Sequence, residues 1–157
     1  MEESLISAIG EKFDLNIDRD IRTISPVSLA YVGDGIYDLI VRTIMIEEHN
    51  AKAGALHRLT TRYVKADAQA KMMEILEPIL TEEENAIYHR GRNCKSGKSA
   101  KNASHGAYRK ATGFEAVMGY LYMMGQTDRL LELVKLAIDN YTPDEREGTE
   151  ARNSSKK

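Results

Sequence analysis

The chain is poor in several things, and each shortage narrows what it can be. Of 157 residues one is cysteine, Cys94, and three are proline. A single cysteine excludes an internal disulfide and a cysteine-type zinc site, and leaves Cys94 as a bystander thiol. No window approaches the roughly 20 uninterrupted apolar residues of a membrane span. The N-terminus, MEESLISAIGEKFDL, has no basic region ahead of an apolar core, so a signal peptide is not expected. These absences together imply a cytoplasmic protein that avoids membranes. Sustained apolar/polar alternation is missing, as are Asn-Gly hairpin signals and internal repeats. The expected class is therefore all-α, with about six or seven helices in one domain over 1–141. A polar tail at 142–157 is expected to be disordered.

What is present suits a packed core. Apolar residues make up 42% and charged residues 29%, in a length ordinary for one domain. A short amphipathic helix with Leu5, Ile6, Ile9 and Phe13 at helical spacing is expected within 1–22. Ser25-Pro26 marks the start of a helix that should run to Glu48, apolar nearly all round and so buried on most sides. The next helix should span Leu56 to Ala70 and continue through Met72 to Leu80 until Pro78 interrupts it. Thr81 and Glu84 fit a capping box for a helix ending at Gly91. Further helices are expected from Gly106 to Met124, stopped by Gly125, and from a Thr127 cap to about Asn140. Leu130, Leu131, Val134 and Ile138 should form the inner face of the last one. Met118, Met123 and Met124 read as core residues.

Two carboxylates stand out by isolation. Asp34 is the only charge between Thr23 and Tyr37, and Glu115 the only charge between Ala111 and Thr127. A carboxylate alone in an apolar helix is costly unless a cation, a partner or protonation neutralises it. If the two helices pack side by side, Asp34 and Glu115 would share a hard divalent cation such as magnesium, which favours oxygen ligands. Such an ion can acidify an attacking water and stabilise phosphoryl oxygens. The alternative is capping of the lone acids by a tyrosine or a backbone amide, with Tyr31, Tyr37 and Tyr108 available. Gly33 and Gly35 flank Asp34; close approach of another helix or a ligand would explain them, and so would simple tolerance. Asp38 lies four residues before Arg42 and reads as a surface ion pair.

Charge is unevenly spread. Net charge is −2, yet from His89 to Lys110 there are seven bases and no acid. A basic segment within an acidic chain suits an anionic polymer partner. Within it, residues 91–104 have loop composition. Arg58, Arg62 and Lys65 fall at helical spacing and read either as a solvated face or as phosphate contacts. His57, His89 and His105 lack metal-ligand spacing and read as surface histidines.

The motifs themselves resemble a known family. LAYVGDGIYDLIVR is similar to the signature helix of ribonuclease III, and RGRNCKSGKSAKNA followed by TGFEAVMGYLY is similar to its second motif region. The two lie in the family order. RGRNCKSG, the short chain and the lack of a double-stranded-RNA-binding domain after Asn140 resemble the Mini-III branch, the stand-alone catalytic domain. The resemblance covers roughly Ser25 to Asn140. It implies the ribonuclease III endonuclease-domain fold and a homodimer whose signature helices meet across a two-fold axis. It also implies a magnesium-dependent endoribonuclease for double-stranded RNA, with large-subunit ribosomal RNA precursor as substrate. Asp34 and Glu115 match family metal ligands. Two departures stand beside them: Ala30 replaces the signature glutamate and Thr112 replaces an aspartate, losses that the Mini-III branch shares. With fewer carboxylates, waters must fill the shell, and the Thr112 hydroxyl could hold one. Duplex RNA is read mainly by shape, phosphates and 2′-hydroxyls. The expected RNA contacts are Arg92, Lys95, Lys98 and Lys101, with Arg90, Arg109, Arg58, Arg62 and Lys65 as further candidates. Two other readings remain open: an inactive RNA-binding module of the same fold associated with the ribosome, and a helical dimerisation protein with buried structural acids.

Overall fold

The computed structural model describes residues 4–94 and 104–143. Among these the chain forms seven α-helices and two 3-10 turns, with no strand. The first helix, α1 (Leu5–Lys12), starts where the Ser4 hydroxyl accepts the Ser7 N–H. A 3-10 turn at Ile21–Thr23 leads into α2 (Pro26–Glu48). Ser25 caps α2 by accepting the Ser28 N–H at 3.1 Å, and Pro26 takes the first turn, where no N–H is required.

The long helix expected over Leu56 to Ala70 is two helices, α3 (Ala53–Val64) and α4 (Ala66–Leu76). They part at Lys65, which is extended (ψ 155°) although neither glycine nor proline is near. Two side chains, one from a distant helix and one from the turn that follows, satisfy the carbonyls that the break releases. The buried Tyr37 hydroxyl donates to Tyr63 O at 2.7 Å, and Gln69 Nε2 donates to Val64 O at 3.0 Å. Tertiary partners thus override local helix propensity here. A 3-10 turn at Glu77–Ile79 holds Pro78.

The capping box is present at the start of α5 (Glu82–Asn93), with Thr81 and Glu84 bonded reciprocally. Gly91 does not stop this helix. It is buried inside the last turn, where a Cβ would come within 2.8 Å of Ala116 Cβ and 3.0 Å of Gly113 Cα. Ser104 caps α6 (His105–Met123), and Gly125, at φ +68°, turns the chain after it. The last helix, α7 (Thr127–Asp139), contains Thr127 rather than being capped by it; Gln126 holds the cap position without a side-chain bond.

The axis of the bundle is α6, not α2. It packs against α2, α4, α5 and α7 and buries Phe114, Val117, Met118 and Leu121 completely or nearly so. Tyr37 of α2 meets Phe114 edge to face, centroids 4.9 Å apart, and both rings are fully buried. Burying such a ring contributes about 1.5–3 kcal/mol. α2 buries one stripe only, from Leu29 through Tyr37 and Val41 to Met45; Val27, Tyr31, Leu39 and Ile46 are exposed. In α7 the inner face is Leu130, Leu133, Val134 and Ala137, while Leu131 faces out, as does Met124 after α6. An ion pair between half-buried Arg129 and buried Glu84 locks α5 to α7. Arg129 reaches both Glu84 carboxylate oxygens, at 2.9 and 3.0 Å, and also Ile79 O at 2.9 Å.

Candidate active site at the crossing of α2 and α6

The crossing is made by backbone. A Cβ on Gly33 would stand 1.7 Å from Glu115 O, and one on Gly119 would stand 1.9 Å from Leu29 O. Leu29 and Gly33 are four apart on α2, as Glu115 and Gly119 are on α6. Each glycine therefore receives the carbonyl lying one turn before the other glycine, in an antiparallel pair. Close contact of this kind favours Cα–H···O attraction between the helices. Helix approach thus accounts for Gly33. Gly35 has nothing within 4 Å of a built Cβ and no such account within this chain.

The contact fixes the Glu115 backbone against Gly33, the residue before Asp34. Burial first, then the Asp34 charge, pushes the Glu115 carboxyl up to about 8, while a hydrogen bond from the Gln69 amide works against the rise. The Asp34 carboxyl is raised too, by burial and then by the charge of Asp38. At neutral pH Glu115 therefore keeps its proton, and no cationic side chain stands among the causes to offset the pair when both ionise. Tyrosine capping does not relieve it for the tyrosines of α2: Tyr31 is 81% exposed, and the Tyr37 hydroxyl is given to Tyr63 O. Asp38 pairs with Arg42 at 2.6 Å, as its spacing suggests.

Two positions narrow the donor set. Ala30 is buried in the core, and the Thr112 hydroxyl donates to Tyr108 O at 3.0 Å. Among the described residues no group of three Asp, Glu, His or Cys side chains gathers at one place. One neighbour was missed in the sequence reading. Gln69 is fully buried, and its Oε1 is the sole buried side-chain polar atom without a hydrogen-bond partner among the described residues. Its signal was legible: Gln69, Met72, Met73 and Leu76 form one helical stripe, and the glutamine is its polar member. Two carboxylates needing a counter-charge, beside an unpaired amide oxygen, form an all-oxygen donor set that fits a hard divalent cation.

The basic residues are more scattered. Arg58 and Arg90 are exposed on α3 and α5, Arg62 is half-buried, and Lys65 sits at the α3–α4 break. Arg92 lies over the Tyr88 ring at 5.7 Å. Arg109 bonds the end of α5, donating to Arg92 O at 2.9 Å and Asn93 Oδ1 at 3.2 Å. Its place is thus a brace between α5 and α6, whatever else it touches. Lys95, Lys98 and Lys101 lie outside the described residues, as do 144–157 of the expected tail. His57 and His105 are exposed and His89 half-buried. Among the described residues no helix is long and apolar enough to cross a membrane.

A family model described as ribonuclease III domain matches residues 27–126, which include both carboxylates and the whole crossing. Enzymes of this class are endoribonucleases that act on double-stranded RNA. Among curated relatives, the Mini-ribonuclease 3 of Clostridium tetani is 43% identical over 134 residues, covering 85% of this chain and 87% of that one. The Mini-ribonuclease 3 of Thermoanaerobacter is 40% identical, covering 88% and 96%, and that of Enterococcus faecalis 46%, covering 76% and 92%. A crystal structure of a Fusobacterium nucleatum protein superposes with a TM-score of 0.70 at 25% identity, over 77% of this chain and 97% of that one. The chain belongs to the Mini-ribonuclease 3 branch of the ribonuclease III family.

Proposed function

We propose that Asp34 and Glu115 hold a magnesium ion with which the chain cleaves double-stranded RNA, the substrate being a large-subunit ribosomal RNA precursor. The observation that carries this reading is the meeting of two carboxylates, both raised, at a crossing that leaves their backbones no freedom. A bound divalent ion would supply positive charge for the phosphoryl oxygens and acidify the attacking water. The protein's own part is positioning. α2 and α6 set the two ligands, and Arg58, Arg62, Lys65, Arg90 and Arg92, with Lys95, Lys98 and Lys101, hold the duplex by its phosphates. Arg109 acts from its place bracing α5 on α6.

The working unit is a homodimer built on α2. What supports this is the row of exposed apolar residues there, Val27, Tyr31, Leu39 and Ile46, together with the open space at Gly35. An apolar row of this kind is the usual mark of an interface. A dimer would bring two sites to one duplex and explain why so apolar a helix has an uncovered face. The expected compartment is the cytoplasm.

The test is cleavage of a long RNA duplex with magnesium at low salt, comparing wild type with Asp34→Asn and Glu115→Gln. Wild type is expected to cut both strands, and each variant to be silent while still dimeric and still bound to RNA. Undiminished cutting by either variant would remove these carboxylates from the chemistry.

A further inference from the structure

Gln69 is spent on more than packing. It sits in the first turn of α4 with its side chain fully buried. One amide proton goes to Val64 O, and the same amide lies near enough to the Glu115 carboxyl to work against its rise. The Oε1 atom has no partner, in an interior where an orphaned polar atom is destabilising. The assignment of nitrogen and oxygen is not arbitrary, because only the nitrogen can donate to a carbonyl. The orphan is therefore an oxygen, carried on the same amide that neighbours Glu115. The positions where the family carries further carboxylates bring no charge here: Ala30 has no donor atom, and the Thr112 hydroxyl, whose proton goes to Tyr108 O, is a neutral oxygen.

We propose that Gln69 is a positioning residue of the cation site, holding the Glu115 carboxylate with its amide nitrogen and offering Oε1 as a neutral oxygen donor to the hydration shell of the ion. The proposal rests on the reading of Asp34 and Glu115 as the cation ligands. It gives a partial substitute for the missing carboxylates, using an oxygen without a charge. A neutral donor adds no repulsion to a pair that already repels. It also ties the site to the α3–α4 break, since the same amide caps Val64. The break places Gln69 at the start of α4, facing α6.

The experiment measures Mn2+ binding by loss of the free-ion electron paramagnetic resonance signal, with no RNA present. Wild type, Asp34→Asn, Gln69→Leu and Gln69→Glu are compared at one pH, each first shown to be folded by circular dichroism. Asp34→Asn is expected to abolish binding, which establishes the underlying site. Gln69→Leu should raise the Mn2+ dissociation constant about tenfold, and Gln69→Glu should bind at least as tightly as wild type. A purely structural glutamine would give the opposite result for Gln69→Glu, since that change loses the bonds to Val64 and Glu115 and adds repulsion. Wild-type affinity in Gln69→Leu, or a Gln69→Glu variant as weak as the leucine, overturns the proposal and leaves the two-carboxylate site standing. No Mn2+ binding by wild type overturns both. If Gln69→Leu does not fold, the near-isosteric Gln69→Glu decides alone: binding at least as tight as wild type supports the proposal, and weaker binding overturns it.

Discussion

Replacing Glu115 by glutamine should make the ion-free protein more stable, and only at high pH. The carboxyl lies at about 8 in the folded chain, against 4.5 for an unperturbed glutamate. Below about 4.5 both folded and unfolded states hold the proton, and there is no penalty. Between 4.5 and 8 the unfolded state releases it and the folded state keeps it, so stability falls as pH rises. Above 8 the loss is complete, and the full shift corresponds to at most about 5 kcal/mol. Glutamine keeps the shape and never ionises. In a domain of this size each kcal/mol moves the melting temperature by about 2–4 °C. Thermal unfolding followed by circular dichroism in chelator, from pH 5 to 9, should show Glu115→Gln overtaking wild type by several degrees at pH 8.5 and matching it near pH 5. Magnesium should close the gap by raising wild type alone. A difference that is flat with pH, or wild type the more stable at pH 8.5, would refute the reasoning that this carboxylate is held at a cost until a cation arrives.

Other expectations follow from the same geometry. Gly119→Ala forces a methyl into Leu29 O and should cost about 3 kcal/mol or more in denaturant unfolding, because a backbone carbonyl cannot swing aside. Arg129→Met strands a buried carboxylate and should cost about 3 kcal/mol at pH 7. Burial pushes the Glu84 carboxyl up, but the Arg129 and Thr81 hydrogen bonds outweigh it and leave it lowered, so this advantage of wild type is present above about 4.5 and disappears as pH falls through the folded value. Tyr31→Asp should give a folded monomer by light scattering, and a dimer of unchanged stability would count against α2 as the interface. Arg58→Ala and Arg62→Ala should each weaken duplex binding and reduce its salt slope by about one unit.

Local chemistry made much of this fold readable. Ser25-Pro26 and the Thr81–Glu84 box are short-range devices whose partners lie within three residues, and both helices begin where those devices put them. The break at Lys65 was hidden because part of its cause is remote: one freed carbonyl is met by Tyr37 from α2, and the other by Gln69 five residues on. Gly91 misled for a related reason. A glycine near a helix end usually stops the helix, but this one is small to let α6 pass. Solitary Asp34 and Glu115 were visible as anomalies of charge. That they meet depended on Gly33 and Gly119, and the pairing of two glycines 86 residues apart cannot be read from spacing alone. Gln69 was passed over because it carries no charge, although its place on the apolar stripe of Met72, Met73 and Leu76 marked it.

The carbonyl-on-glycine crossing also separates two kinds of change that the protein can undergo. In most cores the gap between two helices is an average over many side chains, and it drifts as those side chains are exchanged. Here the gap is one layer of backbone against another, with no side chain between them. Leucines, methionines and valines elsewhere in the bundle can be swapped for others of similar bulk without altering the separation of the two carboxylates. The glycines have no such latitude. Lineages descended from this chain are therefore free to rebuild nearly all of the interior around a gauge that stays fixed.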